Sequence, residues 1–202
     1  MDYFAIFSLP RALHIDTAAL EKQFYALSRR LHPDRFASRP ADEQAGALAE
    51  SSRLNDAYRT LKDPIARTEY LLKLEGVEFE EQSRAATDAA KAAGEAKKQI
   101  VPPDLLEEAF ELNMQLEEMR TAKTMGEDDP QLRADLLAAK STFDGKMAAT
   151  RSELEDLWSR WDAASASSYE AGKASARDAM VALLNRRNYL RNLVRDVNAA
   201  LE

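Results

Sequence analysis

Ser28-Arg-Arg-Leu-His-Pro-Asp-Arg-Phe36 is the stretch from which the fold is read. Pro33 has no amide hydrogen, and its ring disfavours the α region for His32, so a helix reaching this point must end. The result is a proline-fixed turn that displays an imidazole and a carboxylate. Upstream, Asp16 is placed to cap a helix from about Thr17 to Leu31. Its apolar residues Leu20, Phe24, Leu27 and Leu31 recur at the spacing of one helical face. Downstream, a helix starting near Ala41 carries Leu54, Ala57, Tyr58 and Leu61 at the same period and stops at Pro64. Two such faces bury each other as an antiparallel hairpin with the turn at its tip.

Shorter segments close the unit. Residues 2–7 (DYFAIF) give a short apolar helix ended by Leu9-Pro10, and Ile65, Ala66, Tyr70, Leu71 and Leu74 give a fourth helix that Gly76 stops. Residues 17–39 hold five basic side chains (Lys22, Arg29, Arg30, Arg35, Arg39) against Glu21 and Asp34. That local excess suits an acidic protein surface and speeds encounter with it. As a general acid–base dyad, His32 and Asp34 lack a nearby nucleophile or second base, so no catalytic residue is assigned and the chain is not expected to be an enzyme. His14 lies in a loop and receives no role.

Composition narrows the function further. The 202 residues include 28 Lys+Arg, 35 Asp+Glu, two His and no Cys, for a formal charge of −7. Without cysteine there is no disulfide, thiolate nucleophile or cysteine-ligated metal, and two histidines make a histidine site improbable; no metal or cofactor is expected. No apolar run reaches the roughly 20 residues of a membrane span, and the start carries no basic n-region ahead of an apolar core. Neither a membrane nor a nucleic acid is expected as partner. Few Gly and Pro residues, and no alternating Val/Ile/Thr run, make the chain all-α.

Residues 77–102 read as an Ala-rich linker, because most of the stretch has no large apolar side chain to bury. Pro102-Pro103 ends it, and residues 103–202 show three long helical patterns broken at Gly126–Pro130 and near Ala163–Ser168. The first pattern holds Leu105, Ala109, Leu112, Leu116 and Met119. The second holds Leu132, Leu136, Phe143, Met147, Leu154, Leu157 and Trp161, and the third Ala176, Met180, Leu183, Leu190, Val194, Val197 and Leu201. Such spacings indicate an antiparallel three-helix bundle. The first helix carries a second stripe: Leu106, Phe110 and Met114 fall roughly 100–180° from its seam, beside Glu107, Glu111 and Glu118. One helix of a simple bundle cannot bury both stripes, so an apolar patch edged by acids should be exposed and serve a partner. On the last helix, Tyr189 is read as lying off the seam.

The first 76 residues resemble the J-domain of DnaJ-type co-chaperones. The resemblance rests on Tyr3-Phe4 with Leu9, the basic amphipathic helix, His32-Pro33-Asp34, then Leu54-Asn-Asp-Ala-Tyr58, Leu61, Asp63-Pro64, Arg67 and Tyr70. It implies docking on a DnaK-family chaperone and stimulation of its ATPase, with His32, Pro33, Asp34, Lys22, Arg29, Arg30 and Arg35 at the contact. The start MDYFAIFSLP, LHPDRFAS at 31–38 and ARTEYLLKLEG at 66–76, followed by a C-terminal bundle, resemble the HscB family of iron–sulfur cluster assembly. Relative to that family, the linker and the loop before the last helix look expanded. The family resemblance implies that Leu106, Glu107, Phe110, Glu111, Met114, Glu118 and Tyr189 bind an iron–sulfur scaffold protein of IscU type. The scaffold would then pass to an HscA-like partner in the bacterial cytosol. Two other readings are a J-domain adaptor for an unrelated client and a structural coiled-coil protein whose tripeptide is accidental.

Overall fold

The computed structural model describes residues 2–77 and 101–202. Most of the Ala-rich linker, residues 78–100, lies outside the described residues. Among those described, there are seven α-helices and no strand: α1 (Tyr3–Ile6), α2 (Thr17–Leu31), α3 (Ala41–Lys62), α4 (Pro64–Leu74), α5 (Leu106–Met125), α6 (Pro130–Ala166) and α7 (Glu170–Leu201). They gather into two compact units, and the division does not follow chain order. Residues 2–77 group with Glu155–Asp178, and residues 101–154 group with Ala179–Glu202.

Local chemistry explains the helix ends. The Asp16 carboxylate accepts from the Ala18 and Ala19 amides at 2.9 and 3.0 Å, satisfying donors that the first turn leaves unpaired. Asp63 does the same for Ala66, at 2.7 Å, just ahead of Pro64. Gly76 and Gly126 end α4 and α5 with φ of 82° and 74°. In each case the next residue's N–H bonds five residues back (Val77 to Leu72, Glu127 to Ala122), a closure that needs the left-handed backbone glycine adopts without strain. The break before the last helix is short. It spans only residues 167–169, with α6 and α7 running up to it, where the sequence suggested an expanded loop.

In the first unit, Leu20 of α2 and Leu54, Ala57 and Leu61 of α3 are buried with Phe4, Phe7, Leu13, Leu71 and Leu72. Each leucine or phenylalanine buried there contributes about 1.5–3 kcal/mol. Phe24 stacks on Tyr58 with ring centroids 4.1 Å apart, and the Tyr58 hydroxyl donates to Glu21 at 2.9 Å. That bond, with Lys62 beside it, holds the Glu21 carboxyl below the usual carboxylate range. The end of the α6–α7 hairpin completes the unit. Trp158 and Trp161 are buried, Trp158 Nε1 donates to Thr68 Oγ1 at 2.9 Å, and the buried Arg67 guanidinium sits 5.1 Å from the Trp158 ring. Arg67 also donates to the Leu61 carbonyl at 2.6 Å, closing the end of α3. Asp162 accepts from the Leu13 and His14 amides, each at 2.9 Å, and lies 3.1 Å from His14 Nδ1. His14 therefore has a structural place, its ring edge-on to Trp158 at 5.7 Å. Leu157 is only half-buried; Trp158, one residue on, takes the core position expected for it.

The second unit is a three-helix arrangement whose core joins Leu105, Ala109, Leu112, Leu116 and Met119 of the α5 region to Leu132, Leu136 and Phe143 of α6. Leu190, Leu193, Val194 and Val197 of α7 complete it. Ion pairs fasten its edge, Arg186 to Asp104 at 2.7 Å and Lys146 to Glu108 at 2.6 Å.

Both tryptophans lie in the first unit, so their fluorescence reports on that unit alone. Asp162→Ala strands two amides and is expected to lower the stability seen by tryptophan fluorescence in urea by about 1–3 kcal/mol. An unshifted transition would show that the carboxylate does not hold the α1–α2 loop.

Candidate functional site

The first site is the tip of the α2–α3 hairpin. His32 leaves α2 with φ −60° and ψ 127°, the extended conformation that a following proline imposes. Pro33 then opens a 3-10 turn, Pro33–Phe36. Arg35 N–H donates to the His32 carbonyl at 3.0 Å, and Ala37 and Arg39 repeat the pattern onto Asp34 and Phe36 at 3.4 and 2.9 Å. The Asp34 amide donates to His32 Nδ1 at 3.3 Å, and the Asp34 carboxylate lies 3.4 Å from the same nitrogen. A neutral ring takes the amide hydrogen at Nδ1 and carries its own proton on Nε2; a protonated ring donates from Nδ1 to the carboxylate instead. Either way the imidazole is tied to Asp34, through its amide or through its carboxylate, at an exposed position.

Lys22, Arg29, Arg30 and Arg35 are all exposed. At 100° per residue, Lys22 and Arg29 lie about 20° apart on α2, and Arg30 about 80° from Lys22. The buried Leu20 is on the opposite side of the helix from Lys22 and Arg29. Tyr25 is exposed too, about 60° from Lys22, and the sequence reading passed over it. An aromatic ring set among cations on an exposed helix face was the available signal, since aromatics and arginines dominate the energetics of contact surfaces. Arg35 Nη1 reaches back towards the Arg29 carbonyl at 3.5 Å, linking the turn to the end of α2.

The second site lies on α5. Leu106, Phe110 and Met114 are 59%, 68% and 61% exposed, while Ala109, Leu112 and Leu116 on the same helix are buried. Spaced four residues apart, they form a strip about 12 Å long. Glu107, Glu111 and Glu118 are exposed along the same helix. The neighbouring Glu108 is instead drawn to Lys146.

Tyr189 departs from the sequence reading. It is only 6% exposed and belongs to the core of the second unit, where burial pushes its hydroxyl pKa up. The physical reason is geometric. Tyr189 lies about 100° from Leu190, outside a single seam. But α7 packs against both other helices of the unit and buries a wider arc, which also takes in Leu184 and Leu193. Tyr189 underlies this unit and presents no exposed face comparable with Phe110.

Among the described residues, no group of His, Asp or Glu is arranged to hold a metal ion, and no helix is long and apolar enough to cross a membrane. Residues 2–70 match the family model of the DnaJ domain. Two solved structures are similar over nearly the whole chain. The chaperone HscB from Vibrio cholerae shares 26% identity over 98% of this chain and 96% of its own, with a TM-score of 0.60. The human co-chaperone protein HscB, at 23% identity, shares the fold over 98% of this chain and 81% of its own, with a TM-score of 0.62.

Burial separates the two kinds of aromatic. Tyr189→Ala should cost about 3–5 kcal/mol of stability, as deletion of a core ring does, whereas Phe110→Ala should stay within about 0.5 kcal/mol of the parent. Chemical denaturation followed by far-UV circular dichroism distinguishes them; equal losses would contradict the assignment.

Proposed function

From its membership of the HscB family of J-domain proteins, we propose that the chain is a co-chaperone of iron–sulfur cluster assembly with two working surfaces. The His32-Pro33-Asp34 turn, with Lys22, Arg29, Arg30 and Arg35, engages a DnaK-family ATPase of HscA-like type and stimulates its hydrolysis. The strip Leu106, Phe110 and Met114, with Glu107, Glu111 and Glu118 along it, binds an iron–sulfur scaffold protein of IscU type. Tyr189 lies in the core of the same unit. The cluster itself is cargo, since a chain without cysteine has no thiolates to offer it.

The observation that carries the first half is the tied, exposed His32–Asp34 pair at the hairpin tip, bordered by cations and matched by the DnaJ domain model. Such a turn performs no chemistry on ATP. It accelerates its partner by binding the hydrolysis-competent conformation better than the alternatives, so its contacts must differ between nucleotide states. Arginine and lysine on α2 add attraction to an acidic surface and speed encounter. The second half is supported by large apolar side chains left in water on a helix whose other face is filled. Exposed apolar strips rimmed by charge are the usual form of a partner site.

The two surfaces are expected to fail separately. His32→Gln should abolish ATPase stimulation while leaving scaffold affinity unchanged. Leu106→Ala with Phe110→Ala should weaken scaffold binding by about 10- to 100-fold, as loss of two central apolar anchors does, and leave basal stimulation intact. Steady-state ATPase assays and calorimetry with purified scaffold check both. Stimulation by His32→Gln at the parent level would refute the first assignment, and capture of no iron–sulfur scaffold would favour the unrelated client.

A further inference from the structure

The incoming limb of the His-Pro-Asp turn is the end of α2, held by helical hydrogen bonds. The outgoing limb, Ala37 to Pro40, has no helix of its own. Its amides at Ala37 and Arg39 bond to the carbonyls of Asp34 and Phe36. The carbonyls of Ala37 and Arg39 are taken by one side chain. Gln44 Nε2 lies 3.2 Å from the first and 2.8 Å from the second. Both partners only accept, so the amide must turn its NH2 group towards them, one hydrogen to each. Gln44 is itself fixed in the opening turn of α3, where its own N–H bonds to the Pro40 carbonyl at 3.0 Å.

We propose that Gln44 is a positioning residue for the ATPase-stimulating turn, a strut from α3 that fixes where the outgoing limb leaves Asp34. This rests on the co-chaperone reading above. Ala37, Ser38 and Arg39 are exposed and Phe36 is only half-buried, so packing does little to hold the limb. Water would satisfy the same two carbonyls if Gln44 were absent. The contribution of the side chain is therefore order, not rescue of buried polar groups. Order matters at a contact that must discriminate two conformations of its partner, because small displacements there cost large factors in rate. The chemistry also restricts which residues can act. Glu has the same shape, but its carboxylate presents only acceptors to two carbonyls. Lys has a flexible stem and an ammonium that donates to both.

The test uses the full chain with a DnaK-family ATPase and compares Gln44→Glu with Gln44→Lys. Gln44→Glu is expected to cut maximal stimulation roughly tenfold, as a small displacement at such a contact does. The half-maximal concentration should change by less than about twofold, because docking on the α2 face is untouched. Amide hydrogen exchange at Ala37 and Arg39 should quicken, the melting temperature should hold, and Gln44→Lys should restore both stimulation and protection. Parent-like exchange and stimulation in Gln44→Glu would overturn the proposal. So would an equal loss in Gln44→Lys, since the donor would then be irrelevant. If the parent chain stimulates no ATPase while Gln44→Glu still loosens the turn, the co-chaperone reading fails and the strut stands.

Discussion

The pairing of α2 with α3 is the constraint on which the N-terminal unit depends. Leu20, Leu54, Ala57 and Leu61 leave water together, and the Phe24–Tyr58 stack, tied to Glu21 and Lys62, fixes the register of the two helices. Once those faces are joined, the chain between them has nine residues, His32 to Pro40, in which to reverse. Pro33 decides where the reversal starts. His32 and Asp34 are exposed because they sit at the corner of a packed hairpin, where no other element covers them. A functional turn is in this sense a by-product of core packing: the hydrophobic contact supplies the energy, and the proline supplies the direction.

The same logic leaves an apolar strip exposed on α5. Its core face is satisfied by α6 and α7 through Leu105, Ala109, Leu112, Leu116 and Met119. Leu106, Phe110 and Met114 add nothing to that core, and leaving them in water forgoes stabilisation that burial would bring. Glutamates along the helix keep the surface soluble and favour a partner carrying positive charge. In the proposed function, one surface recruits a nucleotide-driven machine by electrostatics and a rigid turn, and the other grips a client by apolar contact.

Much of this was legible in the sequence. Helix periodicity, the cap at Asp16, the stops at Gly76 and Gly126, and the exposed stripe on α5 follow from spacing and backbone chemistry, which act over a few residues. The errors arose where distant segments meet. Tyr189 was misplaced because a helix covered by two neighbours buries a wider arc than one seam predicts. Trp158 and Asp162 gained their roles from partners some 90 to 149 positions away in Thr68 and Leu13, contacts that periodicity does not encode. His14 had no role in the sequence until Asp162 and Trp158 were beside it. Gln44, an ordinary residue in a helix's first turn, acquires meaning only once the carbonyls of Ala37 and Arg39 are seen to face it.

The most direct measurement of the two-surface adaptor is the ATPase rate of a DnaK-family partner, titrated with this chain in the presence and absence of an iron–sulfur scaffold protein. Stimulation by the two together should exceed the sum of their separate effects, because one molecule presents the client while its hairpin tip acts on the ATPase. Strictly additive rates, or rates indifferent to the scaffold at concentrations that saturate the α5 strip, would contradict it.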